Sequence, residues 1–590
     1  MTLIVLGLTG FIWLRNAADA RHVQLSRMAM GHAQVAQNLS QGEGFRSDVY
    51  MPIKIGISDE DRDLTPKGGG VGWSRDLTRP PLYPALLAGV FRVLSPSDRV
   101  VRLVAALGVL FCALAAGLLA ARIAGARAGL VSAALVVLNV AMLQGAAQGE
   151  PAAWVGGFVA LGAAAIFWSA PRTRGTPEPA GEMEALPQLS SRRVYVGAAA
   201  VGAGCGLAYL TEYTMLYVII AFAAILFVRS EPQRRGPAVL VALGAFLIVV
   251  FPWWVRNAAL TGWPLFSLDR YAAFIESDAY PGSAVFRSAE DPRSPYAYVA
   301  KNPEVALKNL SLLGAHVQMY AADLFGLVVL VGALVGMLTP LGGAGGRPLR
   351  YAIAGCFGVL VLGIGATMHV VPANYMPLLP LLAALAGVVF VRLWDELRGA
   401  RRWIAAGAIV LILLISSVSA SYGLPVHYSQ ATVRTTSAGL QWLRDDAESV
   451  GSYLVNGTGL APGRVPAEWQ DPIIITDDPQ LIAWKTGATC VWLPHDADDL
   501  QAVADAFADR APLLLYLTPG LPQMGYNEVP SGYAFLYDRT AAAAPSPREQ
   551  ARWAEVMDMM YPLGGASGYA FGAGRAYLIA PPPPDGRSQM

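Results

Sequence analysis

Residues 100–121 read VVRLVAALGVLFCALAAGLLAA, twenty-two positions carrying a single charged side chain, Arg102, near the start. A helix of that length rises about 33 Å, enough to cross a hydrocarbon layer of about 30 Å. Working outward, comparable apolar runs occur at 2–14, 128–147, 151–169, 194–211, 213–228, 237–255, 322–339, 351–368, 373–393 and 403–421. Together they predict a polytopic α-helical membrane protein with about eleven spans. The composition agrees: 54% of residues are hydrophobic, mean hydropathy is +0.43, and only 14% are charged, against about 25% in soluble domains. Leu, Ala, Val and Gly dominate the runs, as helices that pack closely in lipid require. The run at 2–14 reads as a span and not a cleaved signal. No charged region precedes it, no small-residue cleavage site follows it, and Arg15 comes directly after.

Orientation follows from Lys and Arg in the short loops. Arg122 and Arg127, then Arg172, Arg174, Arg192 and Arg193, then Arg229, Arg234 and Arg235, then Arg347 and Arg350, and finally Arg392, Arg398, Arg401 and Arg402 punctuate alternate connections. With eleven spans all of these loops fall on one side. That side is the cytoplasmic one, so the reading is an inner-membrane multi-pass protein with its N-terminus inside. The long segments 15–99 and 256–321, and everything after 421, are then outside. The loop 171–191, rich in Pro, Gly and Glu, reads as a flexible cytoplasmic linker. A net charge of +1 gives no bulk attraction to nucleic acid.

The chain thus divides into a transmembrane domain at 1–429, an extracytoplasmic α/β domain at 430–580, and a disordered proline-rich tail at 581–590. Within the α/β domain, strands are expected at Ile473–Thr476, Thr489–Leu493 and Leu513–Leu517. Helices are expected at Asp478–Lys485, opened by an acidic cap, and at Asp496–Asp509. No glycine-rich phosphate loop occurs there. In segment 15–99, Ala85–Leu94 is too short to span and suits a helix at the membrane interface, with Tyr83 in the aromatic belt. The four cysteines form no Cys-x-x-Cys and read as small buried side chains. The six histidines show no zinc spacing.

Five segments in order resemble one family. They are Ala33-Gln34-Val35-Ala36-Gln37-Asn38-Leu39 with Gly42-Glu43-Gly44-Phe45; Arg79-Pro80-Pro81-Leu82-Tyr83-Pro84; Phe251-Pro252-Trp253-Trp254-Val255-Arg256-Asn257 with Thr261-Gly262 and Pro264; Asn374-Tyr375-Met376-Pro377-Leu378-Leu379-Pro380; and Ala483-Trp484 with Thr486-Gly487 and Val491-Trp492-Leu493-Pro494. They resemble motifs of the GT-C glycosyltransferases, the polytopic enzymes of the protein-mannosyltransferase and aminoarabinose-transferase type. The resemblance implies transfer of a sugar from a polyprenyl-phosphate donor to a glycan, lipid or protein acceptor at the outer face of the membrane.

Such chemistry needs a carboxylate base for the acceptor hydroxyl and fixed cations for the departing phosphate. Where the family carries an acid before its alanine-rich stretch, this chain has Met30, Gly31 and His32; Asp19 and Asp48 are the nearest carboxylates. The family's RY pair is here Asn374-Tyr375. The candidate catalytic residues are therefore Asp76, His32 and Glu150. The candidate phosphate-binding residues are Arg79, Arg256, His369 and Tyr375. Each has a plainer reading: Asp76 as a cap, Arg79 and Arg256 as interfacial anchors, Glu150 and Glu212 as solvated charges at span ends. No cofactor is specified. The run Asp59-Glu60-Asp61-Arg62-Asp63 is read as a solvated loop that offers oxygen ligands for a divalent cation. Two rivals stand beside the transferase: a silent relative that binds a lipid-linked sugar or scaffolds glycan assembly, and a transporter. A transporter is expected to carry intramembrane charges and a repeat between halves, and neither is seen.

Overall fold

The computed structural model describes residues 25–57, 74–168, 191–339, 346–367, 372–409, 473–518, 521, 533, 560–562, 569–571 and 574–579, with short gaps within 276–294, 398–408 and 508–520. The expected span at 2–14, most of that at 403–421, the linker, the acidic run Asp59–Asp63, His369 and the 581–590 tail lie outside the described residues. The chain divides into two compact units. One comprises Met1–Ala29, Arg79–Ser267 and Val299–Pro425; the other comprises Met30–Thr78, Leu268–Tyr298 and Val426–Met590.

The first unit is helical. Among the described residues, four helices have the length and apolarity to cross a membrane: Asp98–Ala124, Arg193–Thr211, Pro232–Thr261 and Asn374–Glu396. The stretch expected as one span at 128–147 is two helices, Ala126–Val137 and Val140–Ala147, bent by 52°. Asn139 explains the bend: its Oδ1 accepts from the Met142 N–H at 2.9 Å, starting a new helix inside the apolar run. The stretch expected at 322–339 likewise breaks at Gly326, between Pro303–Phe325 and Leu327–Leu338. The stretch at 213–228 opens with a 3₁₀ turn, Tyr213–Tyr217, before Val218–Arg229. A hydropathy run records that a segment is apolar; a local cap within it decides whether the helix is continuous.

Small residues set the helix packing. A Cβ on Gly129 would stand 2.7 Å from the Gly117 carbonyl, so Asp98–Ala124 and Ala126–Val137 approach almost backbone to backbone. Ser132 donates to the Ala383 carbonyl at 3.0 Å, tying Ala126–Val137 to Leu379–Glu396. Arg122 donates from Nε to the Phe167 carbonyl at 3.1 Å and so satisfies the C-terminus of Ala152–Trp168.

The second unit holds a mixed sheet. Its strands are β2 (Val49–Tyr50), β4 (Ile473–Thr476), β5 (Cys490–Trp492), β6 (Leu513–Leu517), β7 (Met560–Pro562), β8 (Tyr569–Phe571) and β9 (Gly574–Ile579). A separate ladder pairs β1 (Arg46–Ser47) with β3 (Ser74–Arg75). The order is β2-β5-β4-β6-β9-β7, with β8 pairing β9. The first four strands are parallel, which explains the near-continuous apolar sequences of β4 and β6. Helices Pro479–Thr486 and Ala497–Phe507 connect them; Asp478 precedes the former, but its side chain makes no cap hydrogen bond.

The edge strand β2 comes from the long segment after the first predicted span. Val49 pairs with Cys490 and Tyr50 with Val491, and the Tyr50 ring meets Phe507 edge-on at 5.2 Å within the core. Arg287, 1% exposed, donates to the Leu493 carbonyl at 2.8 Å, and the His495 N–H returns to the Arg287 carbonyl at 2.9 Å. Asp499 accepts from Ser288 Oγ at 3.1 Å and from the Ala289 N–H at 2.7 Å. Three remote stretches of sequence therefore build one unit.

Candidate functional site

Within the helical unit, the segment Arg79–Pro84 ties two turns together. The Arg79 carbonyl accepts from the Tyr213 hydroxyl at 3.2 Å. Four residues on, the Tyr83 hydroxyl donates to the Gly149 carbonyl at 2.7 Å. Pro80 and Pro81 restrict the backbone that joins these contacts. Tyr83 is fully buried, so its expected place in an interfacial aromatic belt is not what the fold uses; its hydroxyl is needed inside, as a strut. Gly149 has φ +80°, and a Cβ there would meet Val101, Leu25 and Ala29 at 2.8–3.1 Å, so the turn that presents Glu150 requires glycine. Burial raises the Glu150 carboxyl above its ordinary range, opposed by a hydrogen bond from Ser26.

Tyr213 carries the network onward. Its hydroxyl accepts from the Trp253 indole N–H at 2.8 Å, and the Arg256 guanidinium lies over the Trp253 ring, 4.3 Å from its centroid. Arg256 also donates from Nη1 to Asn257 Oδ1 at 3.1 Å, while Asn257 Nδ2 donates to the Phe266 carbonyl at 3.1 Å. The helix Arg235–Thr261 extends six residues beyond the expected span end and places this group on its final turns. An unbroken path therefore runs Arg79–Tyr213–Trp253–Arg256. Trp254 repeats the pattern one position on, donating to the Tyr209 hydroxyl at 3.1 Å.

Glu212, which the sequence suggests is solvated in a short turn, is partly buried beside Tyr213. Burial raises its carboxyl to about 7, partly offset by hydrogen bonds from the Thr214 backbone and side chain. Tyr375 is buried in the turn Pro372–Leu378, its ring 5.9 Å from Phe357. Its hydroxyl has no hydrogen-bond partner among the described residues.

His32, Asp48 and Asp76 belong to the second unit. His32 lies on the helix Arg27–Ser40 and is 2% exposed. Asp76 is also buried; its Oδ1 accepts from the Thr78 N–H at 2.9 Å, the local turn expected of an Asp two residues before an N–H. Asp48 emerges as a carboxylate with a built environment. Asn38 Nδ2, from the alanine-rich motif, donates to its Oδ1 at 3.0 Å and to the Arg46 carbonyl at 3.3 Å. Burial pushes the Asp48 carboxyl up to about 6, against hydrogen bonds from Asn38 and Gln34. The β1–β3 ladder pairs Arg46 with Arg75, and the Asp76 N–H donates to the Phe45 carbonyl. Asp48 and Asp76 therefore stand at opposite ends of the ladder, about 10 Å apart along it. The signal available in sequence for Asp48 was Asn38, a buried amide ten residues upstream.

No family model and no curated protein matches the sequence. Among solved structures, ArnT from Cupriavidus metallidurans bound to undecaprenyl phosphate superposes with a TM-score of 0.52 at 13% identity, covering 98% of this chain and 99% of that one. The apo state of the same protein gives 0.51 at 12% identity, over 99% and 98%. The likeness spans both chains from end to end. It establishes a fold shared with that protein.

Proposed function

We propose that this chain transfers a sugar from a polyprenyl-phosphate donor to an acceptor hydroxyl at the outer face of the cytoplasmic membrane. The observation that supports it is the path Arg79–Tyr213–Trp253–Arg256. Two arginines in family-like motifs share one buried support, and the same short proline-rich segment reaches the turn bearing Glu150. Arg79 and Arg256 are the phosphate cations: a guanidinium offers parallel donors, remains charged at all working pH values, and is less strongly hydrated than an ammonium. Tyr375 supplies a further donor, since its hydroxyl is unused among the described residues; His369 takes the same role.

In the reaction, the bond between the anomeric carbon and the phosphate oxygen breaks as the acceptor oxygen bonds to that carbon. The acceptor proton passes to a carboxylate, and the polyprenyl phosphate leaves as an anion held by the arginines. Asp76 is the base, with His32 in reserve; Glu150 keeps the phosphate end of the site from accumulating excess positive charge. ArnT is described bound to undecaprenyl phosphate, and that lipid is the natural probe here. The eleven-span topology with basic loops inside belongs to the same proposal, as does acceptor recognition by the unit containing the sheet.

The test separates binding from chemistry. Asp76→Asn should bind undecaprenyl phosphate as the wild type does and lose transfer by roughly a hundredfold. Arg256→Ala should lose both. Equal transfer by Asp76→Asn and the wild type removes Asp76 as the base.

A further inference from the structure

Within the helical unit, Asn139 sits where two helix breaks face one another. It is 4% exposed within the apolar run 128–147. Its Oδ1 caps Val140–Ala147 through the Met142 N–H at 2.9 Å, and its Nδ2 donates to the Leu324 carbonyl at 3.3 Å. That carbonyl belongs to the last turn of Pro303–Phe325, where the break at Gly326 ends the intrahelical ladder. Gly326 has φ +73°, and a Cβ on it would stand 3.3 Å from Asn139 Nδ2, so the two breaks meet closely. One side chain therefore serves both breaks, its acceptor on one and its donor on the other.

The helices that lead away from the breaks on one side are held firmly. Ser132, on Ala126–Val137, donates to the Ala383 carbonyl at 3.0 Å, and a Cβ on Gly332, on Leu327–Leu338, would stand 2.8 Å from the Ala386 Cβ. Both helices pack against Leu379–Glu396, and the bend is set from this fixed base. On the other side, Val140–Ala147 runs into the turn that presents Glu150, whose N–H donates back to the Gly145 carbonyl at 2.8 Å. The carboxylate therefore goes where this short helix points. From Asn139 to Glu150 is about 16 Å of helix. Continuing Ala126–Val137 straight, without the 52° bend, would move Glu150 by about 14 Å. The Tyr83 hydroxyl, at the Gly149 carbonyl, and Arg102 Nε, 2.9 Å from the Ala147 carbonyl, fasten the far end where the bend delivers it. An asparagine between apolar helices can act as packing glue alone; this one also selects the direction of the half-helix that carries a charged site residue.

We propose that Asn139 is a positioning residue for Glu150: by capping one break and tying it to the other, it aims Val140–Ala147 at the contact with Tyr83. The role of Glu150 rests on the sugar-transfer reading, in which its charge moderates the hold of Arg79 and Arg256 on the polyprenyl phosphate; the aim of the helix does not.

The experiment has two parts, both on the full chain in nanodiscs. In the first, spin labels on Gln148→Cys and Leu338→Cys report the direction of the half-helix by their separation; Leu338 is exposed and the native cysteines are all buried. Asn139→Leu should shift that distance by at least about 4 Å. Asn139→Ser, which keeps a capping oxygen, should stay closer to the Asn139 chain. In the second, undecaprenyl phosphate is titrated. Glu150→Gln removes a negative charge from the phosphate end of the site and should bind the lipid about tenfold more tightly. Asn139→Leu should also tighten binding, the opposite of what general damage to the fold does. Asn139→Leu combined with Glu150→Gln should match Glu150→Gln within about twofold. An unchanged label distance in Asn139→Leu overturns the proposal whatever the affinities, and so does an effect of Asn139→Leu on affinity that adds in full to that of Glu150→Gln. A shifted label distance with Glu150→Gln binding like the wild type supports the positioning and removes the charge role assigned to Glu150.

Discussion

Tyr213→Phe removes a single oxygen and tests whether Arg79 and Arg256 act as one device. That oxygen donates to the Arg79 carbonyl at 3.2 Å and accepts from the Trp253 indole at 2.8 Å, in a site where Tyr213 and Trp253 are each 9% exposed. Losing a buried partner costs about 1–3 kcal/mol for each group affected. Because the two partners relax together, about 2–4 kcal/mol in total is expected. The loss falls on the contacts that fix the Arg79 backbone and the indole beneath Arg256, so a shift of about 1 Å in either guanidinium is enough to cost tenfold to a hundredfold in a reaction that depends on alignment. The assay is titration with undecaprenyl phosphate in nanodiscs, with sugar transfer measured on the same samples. Affinity should fall by about tenfold and transfer by more. Tyr209→Phe is the matched control. It removes the acceptor for the half-buried Trp254 indole at 3.1 Å, costs about 1 kcal/mol, and should leave lipid affinity within about threefold. If Tyr213→Phe binds the lipid like the wild type while Arg256→Ala does not, the two arginines are independent and the shared support is irrelevant to binding.

Other consequences follow from the same geometry. Burial raises Asp48 to about 6 from 3.8, so the fold favours its neutral form. The associated stability is fully present below pH 3.8 and is lost as pH rises through about 6. Asp48→Asn should therefore be more stable than the wild type at pH 8 by up to about 3 kcal/mol and similar to it near pH 4, as judged by thermal unfolding at both pH values; a gap independent of pH contradicts the burial argument. Glu212, raised to about 7, gives the same sign, and Glu212→Gln should lift the unfolding temperature at pH 8 but not at pH 5. Arg287→Ala strands the Leu493 carbonyl in a buried position and should destabilise the sheet unit by about 3 kcal/mol or more, seen as early proteolysis of the C-terminal region. Gly149→Ala forces a side chain into Val101 and Leu25 at a positive φ and should cost transfer through the Glu150 turn.

The helical character of the chain was legible in its apolar runs, because span length and hydropathy are set by the bilayer alone. The breaks were not. Asn139 and Gly326 interrupt runs whose average hydropathy barely changes, and the interruption comes from one cap or one dihedral. The strands Ile473–Thr476 and Leu513–Leu517 were read at their observed bounds, since buried parallel strands leave continuous apolar segments. Strand β2 was invisible: two residues, Val49 and Tyr50, carry no periodicity, and their pairing with Cys490 and Val491 is set across 440 positions. At the candidate site, sequence pointed to Arg79 and Arg256 through motif chemistry. It gave no sign of Tyr213, which connects them, because an aromatic residue at the start of an apolar run reads as an anchor.

Under the proposed function, a sugar leaves a polyprenyl phosphate on this protein. The direct measurement is mass spectrometry of the lipid pool in liposomes that contain the purified chain, glycosyl polyprenyl phosphates extracted from a cell envelope, and a mixed acceptor fraction. With the wild type, one glycosyl polyprenyl phosphate should disappear as free polyprenyl phosphate accumulates and the lost sugar mass appears on an acceptor, about a hundredfold faster than with Arg256→Ala or Asp76→Asn. Release of polyprenyl phosphate no faster than in protein-free liposomes, across every lipid and acceptor fraction, contradicts the account.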